Sequence, residues 1–212
     1  MAEADGTRTA LVGAALHLFG LKGFDATTTR EIATQAGVNI AAIAYHFGGK
    51  EGLRQACGAR VAEQVAELLP LTETDPALTP EAADARLEHV IIGAVRFFAT
   101  DHHAQDLVAF MLREIAQDGP VLDAVYAAVI EDRHCALCGL WGRATGTDPE
   151  AEATRLSVFA LIGQTVYFRI GQPVIRRRMG WETLGAPEAD RIAAVLIGNL
   201  RAALAVAKGA GT

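Results

Sequence analysis

Apolar residues recur along this chain at helical spacing, not at the two-residue spacing of strands. Between Arg8 and Leu21, the positions Leu11, Ala14, Ala15, Leu18 and Phe19 fall at i, i+3, i+4, i+7 and i+8. They make one face of a helix that Gly20 and Gly23 help to end. Thr28, followed three residues later by Glu31, reads as a capping box in which each side chain satisfies a backbone N–H at a helix start. That second helix buries Ile32, Ala33 and Ala36 and stops at Gly37. Asn39 is an N-cap for a short third helix with Ile40, Ile43, Ala44 and Phe47 inward. Past Gly48-Gly49, a longer fourth helix starts at Lys50 and carries Leu53, Cys57, Val61, Val65 and Leu68 on one stripe up to Pro70.

Pro70, Pro76 and Pro80, with Thr and Asp between them, mark a loop. Thr79-Pro80 then opens a helix with Leu87, Ile91, Ala94, Val95 and Phe98 inward. Two shorter helices are expected over about 104–117 and 120–143, and Asp148-Pro149 and Ala186-Pro187 open two long ones that end at Gly171 and Gly209. The pattern gives an all-α chain of about nine helices. Residues 1–55 form a three-helix head, and the fourth helix leads into a helical body over 56–212.

Composition narrows the class. No uninterrupted apolar run approaches the ~18 residues of a membrane span, and Met1 to Arg8 lack the apolar core of a signal peptide. Three cysteines, an odd number, argue against a disulfide framework and fit a reducing compartment, so the expected location is the cytoplasm and no membrane partner is expected. The net charge of −6 is unevenly placed: residues 1–55 hold five basic and five acidic side chains, and the body carries the whole excess. A neutral head is not the basic footprint of a nucleic-acid binder. Charge alone would not point to DNA.

The motifs do. Two short helices joined by Gly37-Val38 make a helix-turn-helix. The run Ala26-Thr27-Thr28-Thr29-Arg30-Glu31-Ile32-Ala33-Thr34-Gln35-Ala36-Gly37-Val38-Asn39, with Ile43, His46-Phe47-Gly48-Gly49-Lys50-Glu51-Gly52-Leu53 behind it, resembles the N-terminal head of the TetR family of ligand-responsive repressors. Phe168-Arg169-Ile170-Gly171 and Arg178-Met179-Gly180-Trp181 look like the CerR-like C-terminal domain of one TetR subgroup. On the residues themselves, the stripe of helix 3 leaves Ala41, Ala42, Tyr45 and His46 on the opposite side. Ala41 and Ala42 can touch thymine methyl groups, and Arg30 can pair with guanine O6 and N7. Thr28 and Asn39 complete the candidate surface as the caps of its two helices. The resemblance implies that the positions of Thr29, Tyr45, His46 and Lys50 contact phosphates or bases. Ala44 departs from it, since many relatives place tyrosine there.

In the body, the helix from Pro149 to Ile170 is apolar nearly all round and must be covered on several sides. With the last helix it is expected to form a homodimer interface through Leu156, Phe159, Ile162, Val166, Ile192, Val195, Leu196 and Leu200, as the resemblance also implies. A small-molecule effector is expected among His89, Phe97, Phe110, Met111, Arg113, Tyr126 and Trp141. A different chemistry is carried by His134-Cys135-Ala136-Leu137-Cys138, whose cysteines at i, i+3 could form a redox couple or hold a metal, although packing of small apolar side chains is the commoner reason for such a pair. A helical interaction module without DNA binding is a third reading. His102-His103 reads as a surface loop and Arg176-Arg177-Arg178 as a solvated turn. Neither a Ser-His-Asp order nor a Gly-rich phosphate loop is present, so the chain reads as a regulator without cofactor or resident metal, bound to double-stranded operator DNA and not an enzyme.

Overall fold

The computed structural model describes residues 2–68 and 77–210. The proline loop from Pro70 to Pro76 lies outside the described residues. The rest is helical: α1 (Ala2–Lys22), α2 (Thr29–Ala36), α3 (Ala41–Phe47), α4 (Lys50–Leu68), α5 (Pro80–Thr100), α6 (His102–Gln117), α7 (Pro120–Val125), α8 (Glu131–Thr145), α9 (Glu152–Ile170), α10 (Gln172–Met179) and α11 (Ala186–Ala210). A π turn, Tyr126–Ile130, joins α7 to α8. If the run from α7 to α8 is taken as one helix, ten helices stand among the described residues against the nine expected. The addition is α10: Gly171 does end α9, but Pro173 in the first turn of a new helix restarts the chain at once. Its three arginines hid any apolar stripe. At the other boundaries, α1 begins six residues before Arg8, because polar residues carry helical backbone without marking a face. Similarly, Asp148-Pro149 forms a turn closed by the Glu150 N–H on Asp148 Oδ1 (2.9 Å), and α9 starts only at Glu152.

The chain packs as two units that alternate along the sequence. The first comprises residues 1–65 and 102–130, the second 66–101 and 131–212. In the first, α1 packs on α2 and α6 around Leu11, Ala15, Phe19, Ile32, Ile43, Leu53, Cys57, Phe110 and Val121, all at most 1% exposed. Gly20 is a point of close approach here, not a helix end. A Cβ on it would meet Ala109 Cβ at 3.0 Å and Phe110 N at 3.1 Å, so its bare backbone lets α6 lie against α1. Arg113 of α6 then closes the end of α1, donating from Nε to Gly20 O (2.8 Å) and from Nη2 to Leu21 O (2.7 Å). These are two carbonyls that a helix end leaves without partners.

In the second unit, α5 packs on α8 and α11, with a core of Leu87, Ile91, Val95, Leu137, Leu140, Trp141, Val158, Ile192, Leu196 and Leu200 among others. α5 and α11 run antiparallel, as the ladder of ion pairs Lys208–Asp84, Arg201–Glu88 and Arg96–Asp190 shows, the partner number falling as the other rises. The bidentate Arg201 holds the Glu88 carboxyl below the usual range. Pairs this exposed contribute little each and serve mainly to fix register. By length and composition α11 is apolar enough to cross a membrane, yet Ile192, Leu196, Leu200 and Leu204 are buried in the unit's own core.

That burial corrects three of the expected interface residues. Ile192, Leu196 and Leu200, at 3, 2 and 1% exposure, point into the chain's own core, while Val195 stands 60% exposed beside them. α9 divides the same way: Val158 and Leu161 are buried, Leu156 and Phe159 are 59% and 53% exposed, and Ile162 and Val166 are half-buried. Periodicity reveals an apolar helix but not which of its apolar stripes faces its own chain.

Candidate nucleic-acid interface

α2 is fixed at both ends. Thr28 Oγ1 accepts the Glu31 N–H (3.2 Å) and Glu31 Oε2 accepts the Thr28 N–H (2.8 Å), so the expected capping box is formed. Glu31 also takes an ion pair from Lys22 Nζ at 2.5 Å. This bond from Lys22, followed by those from Thr28, holds the Glu31 carboxyl at about 2, against an ordinary 4.5. The sign follows from linkage: a depressed folded pKa contributes stability that is complete above about 4.5 and is lost as pH falls towards 2. In a carboxyl NMR titration Glu31 is expected to have its midpoint near 2 and to move upward in Lys22→Ala. An ordinary midpoint in the parent chain would contradict this cap.

At the other end Gly37 takes φ +68°, with Val38 N–H on Ala33 O (3.0 Å) and Gly37 N–H on Thr34 O (3.2 Å). That pair of bonds is a Schellman closure, and it turns the chain into α3. Asn39 caps as expected, its Oδ1 accepting the Ala41 N–H at 2.8 Å. Behind α3, a Cβ on Gly52 would lie 1.9 Å from Phe47 O, so only glycine lets the first turn of α4 sit against the end of α3.

The face of α3 differs from the expected wheel. Ile43 is the residue buried at 1%; Ile40 is 47% exposed and Ala44 is exposed. Seven residues make barely two turns, so α3 is anchored by Ile43 with Phe47 half-buried, and the outer surface widens to Ala41, Ala44 and Tyr45. Tyr45 is 84% exposed and meets His46 edge-on at 4.9 Å, while His46 and Ala42 are half-buried. Arg30 stands exposed on α2 without a side-chain partner among the described residues, next to half-buried Thr29 and exposed Thr28.

Lys50 is engaged within its own unit. Its Nζ donates to Thr27 O (2.8 Å) and lies 4.2 Å from the centre of the Phe24 ring, which Arg54 also covers at 4.5 Å. Arg54 in turn forms a bidentate pair with Glu114 of α6, at 2.8 and 3.0 Å. Phe24 thus gathers the start of α4 onto the loop before α2. Sequence reading missed this platform, because no local spacing relates residue 24 to residues 50 and 54. Arg8, whose guanidinium lies 5.6 Å over the Phe47 ring, escaped it for the same reason.

The seven effector candidates divide between the two units. Phe110, Met111, Arg113 and Tyr126 belong to the first unit, and His89, Phe97 and Trp141 to the second. Phe110 and Trp141 are core residues at 1% and 3% exposure, Arg113 is committed to α1, and His89 is an exposed residue bonded to Ala85 O. The cysteine pair is split as well: Cys135 is exposed, whereas Cys138 is buried 3.7 Å from His134 Nδ1. Burial first, then Cys135, pushes the Cys138 thiol up to about 11, which leaves it protonated and unreactive at neutral pH. Among the described residues no group of three His, Cys, Asp or Glu side chains is placed to hold a metal ion.

Comparison with known proteins bears on this geometry. Residues 11–57 match the family model of bacterial regulatory proteins of the tetR family, and residues 83–206 match that of the C-terminal domain of the HTH-type transcriptional dual regulator CecR, the subgroup that the sequence resemblance named as CerR-like. The CecR protein of Shigella flexneri is 36% identical over 188 residues, covering 86% of this chain and 84% of that protein. The regulatory protein RaaS of Mycobacterium tuberculosis is 45% identical over 65 residues, 30% of each chain. Among solved structures, a TetR-like regulator from Rhodococcus sp. RHA1 superposes with a TM-score of 0.66 at 22% identity, covering 94% of this chain and 96% of that one. AibR in complex with isovaleryl coenzyme A and operator DNA gives 0.67 at 18% identity, covering 91% and 96%. At these identities the superpositions establish the fold; the family models and the CecR relative establish that this chain belongs to the TetR family of transcriptional regulators, with a DNA-binding helix-turn-helix and a C-terminal domain of the CecR type.

Proposed function

We propose that the chain is a cytoplasmic, ligand-responsive repressor that binds a pseudo-palindromic operator as a homodimer and is released by a small-molecule effector. Residues 1–55 would bind DNA, and residues 56–212 would carry dimerisation and most of the response. The observation that carries this reading is the helix-turn-helix surface itself. A doubly capped α2 presents an unpartnered Arg30, and α3 offers Ala41, Ala44 and the largely exposed Tyr45 without bulk that would keep it from a groove. The outward face of α9 and α11, with Leu156, Phe159 and Val195, supports a two-fold interface, which would supply the second recognition helix. AibR, a protein of the same fold, was crystallised with an acyl coenzyme A and operator DNA, which favours a two-ligand reading here. An effector that lowers operator affinity must itself bind more weakly when operator is present, by the same factor.

Base reading falls on Arg30, and backbone contacts on Thr28, Thr29, Asn39, Tyr45, His46 and Lys50, with Ala41 and Ala42 against thymine methyls. Arg30→Ala is expected to weaken operator binding by about 1–3 kcal/mol and to relax the sequence preference. Lys50 keeps donors beyond the one spent on Thr27. Lys50→Ala is expected to weaken all sequences alike and to lower the salt slope by about one. Fluorescence anisotropy over a range of salt concentrations checks both. Unchanged binding in Arg30→Ala would remove it from the interface. Weaker binding at an unaltered slope in Lys50→Ala would make that residue a positioning one that acts through Phe24 and Thr27.

A further inference from the structure

Within the first unit, α1, α4 and α6 line a partly open cavity of about 540 Å³ that none of the seven effector candidates lines. Small-molecule sites occupy about 300–1,000 Å³ and combine an apolar lining with a few convergent polar groups. This cavity has both. Val12, Leu16 and Leu107 supply an apolar floor, and Ala56 and Ala59 of α4 leave space above it where larger side chains would fill it. Its charged residues are mostly satisfied among themselves. Arg60 donates to Glu63 and Gln64, and Asp106 is paired with His17 at 3.0 Å. Arg8 is the exception: among the described residues it has no carboxylate partner, and its guanidinium rests over the Phe47 ring at 5.6 Å. Arg8 therefore stands at the mouth of an apolar space as a cation without a carboxylate partner among the described residues.

We propose that this cavity binds a small amphiphilic organic anion, with its apolar body against Val12, Leu16 and Leu107 and its acidic group paired with Arg8. A charge-assisted hydrogen bond to a carboxylate or sulfonate is a stronger partner for a guanidinium than a ring face alone. Phe47 is the last residue of α3, so drawing Arg8 off its ring alters packing at the end of the helix that carries the proposed DNA surface. This last step rests on the proposed function; the binding itself does not.

Decanoate and decyltrimethylammonium test it, having the same tail and opposite charges. The full chain is titrated by calorimetry at pH 7 without DNA, and helicity is followed by circular dichroism. Decanoate is expected to bind one molecule per chain and the cation not to bind. Arg8→Gln is expected to weaken decanoate by about threefold to fivefold. Ala59→Trp, at an exposed position of α4 that lines the cavity, is expected to abolish binding with helicity unchanged. Should the cation bind as tightly as decanoate, the anionic class is wrong. Decanoate binding that survives both substitutions, or no binding of either probe, overturns the site. Because DNA is absent, any of these failures leaves the operator reading intact, and a chain that selects no operator leaves the cavity result standing.

Discussion

Leu196→Glu is expected to unfold the second unit, whereas Val195→Glu, one residue away on α11, leaves it folded and separates the protomers of the proposed dimer. Leu196 is 2% exposed in the core shared by α5, α8, α9 and α11, while Val195, about 100° round the same helix, is 60% exposed. An unpaired carboxylate in an apolar core costs several kcal/mol, against a total stability of about 5–15 kcal/mol for a domain. On the open face the same side chain stays hydrated in the monomer, and its stability effect is within about 0.5 kcal/mol. At a two-fold interface, however, the charge appears twice and is stripped of water against apolar neighbours. Thermal unfolding by circular dichroism together with light scattering separates the two. A folded Leu196→Glu would contradict the core assignment, and a dimeric Val195→Glu would move the interface away from this face.

The second large effect is expected at Arg54 and Glu114. Their side chains are 13% and 3% exposed and meet through two short bonds that tie α4 to α6 inside the first unit. Forming such a pair gains little over apolar packing, but removing one partner strands the other charge out of water. Arg54→Met is therefore expected to cost about 3–5 kcal/mol, more than a surface substitution by several-fold. Adding Glu114→Leu to it should recover most of that loss, since no charge is then left buried. Urea unfolding of the two single variants and the double variant closes the cycle. If the two losses simply add, the residues are not energetically coupled and the pair is incidental.

These two sites also show what the sequence discloses and what it withholds. Features that depend on neighbours within one turn were legible: the Thr28–Glu31 box, the Asn39 cap, the turn at Gly37 and the inward stripe Leu87, Ile91, Ala94 and Val95 of α5 stand where spacing put them, with Phe98 only half-buried at its end. The all-helical class follows from the same local signals. Features that depend on which surfaces meet were not legible. Leu196 and Val195 are equally apolar, and only the packing of α5 against α11 decides which faces inward. Gly20 looks like a helix breaker until α6 is laid against it, and Arg113 looks like a ligand-binding cation until it closes the end of α1. In α3 the limit is length: seven residues are too few for a wheel to define a stripe, so Ile40 and Ala44, inward on the wheel, lie outward in the fold. The DNA surface was recognised chiefly by motif, since a head with balanced charge gives no electrostatic footprint. Arg8 on the Phe47 ring, and Phe24 under Lys50 and Arg54, meet their partners from a distance in sequence and left no signal at all.

A repressor of this kind must read DNA through a pair of heads. Selection of genomic fragments by the purified full chain, followed by sequencing and by light scattering of the complex on the enriched fragment, measures that directly. The expected result is an inverted repeat whose half-sites are about one helical turn apart, or a multiple of it, each occupied by one protomer, with enrichment lost in Arg30→Ala. Enrichment of no sequence, or of one unrepeated site bound by a single chain, would contradict it.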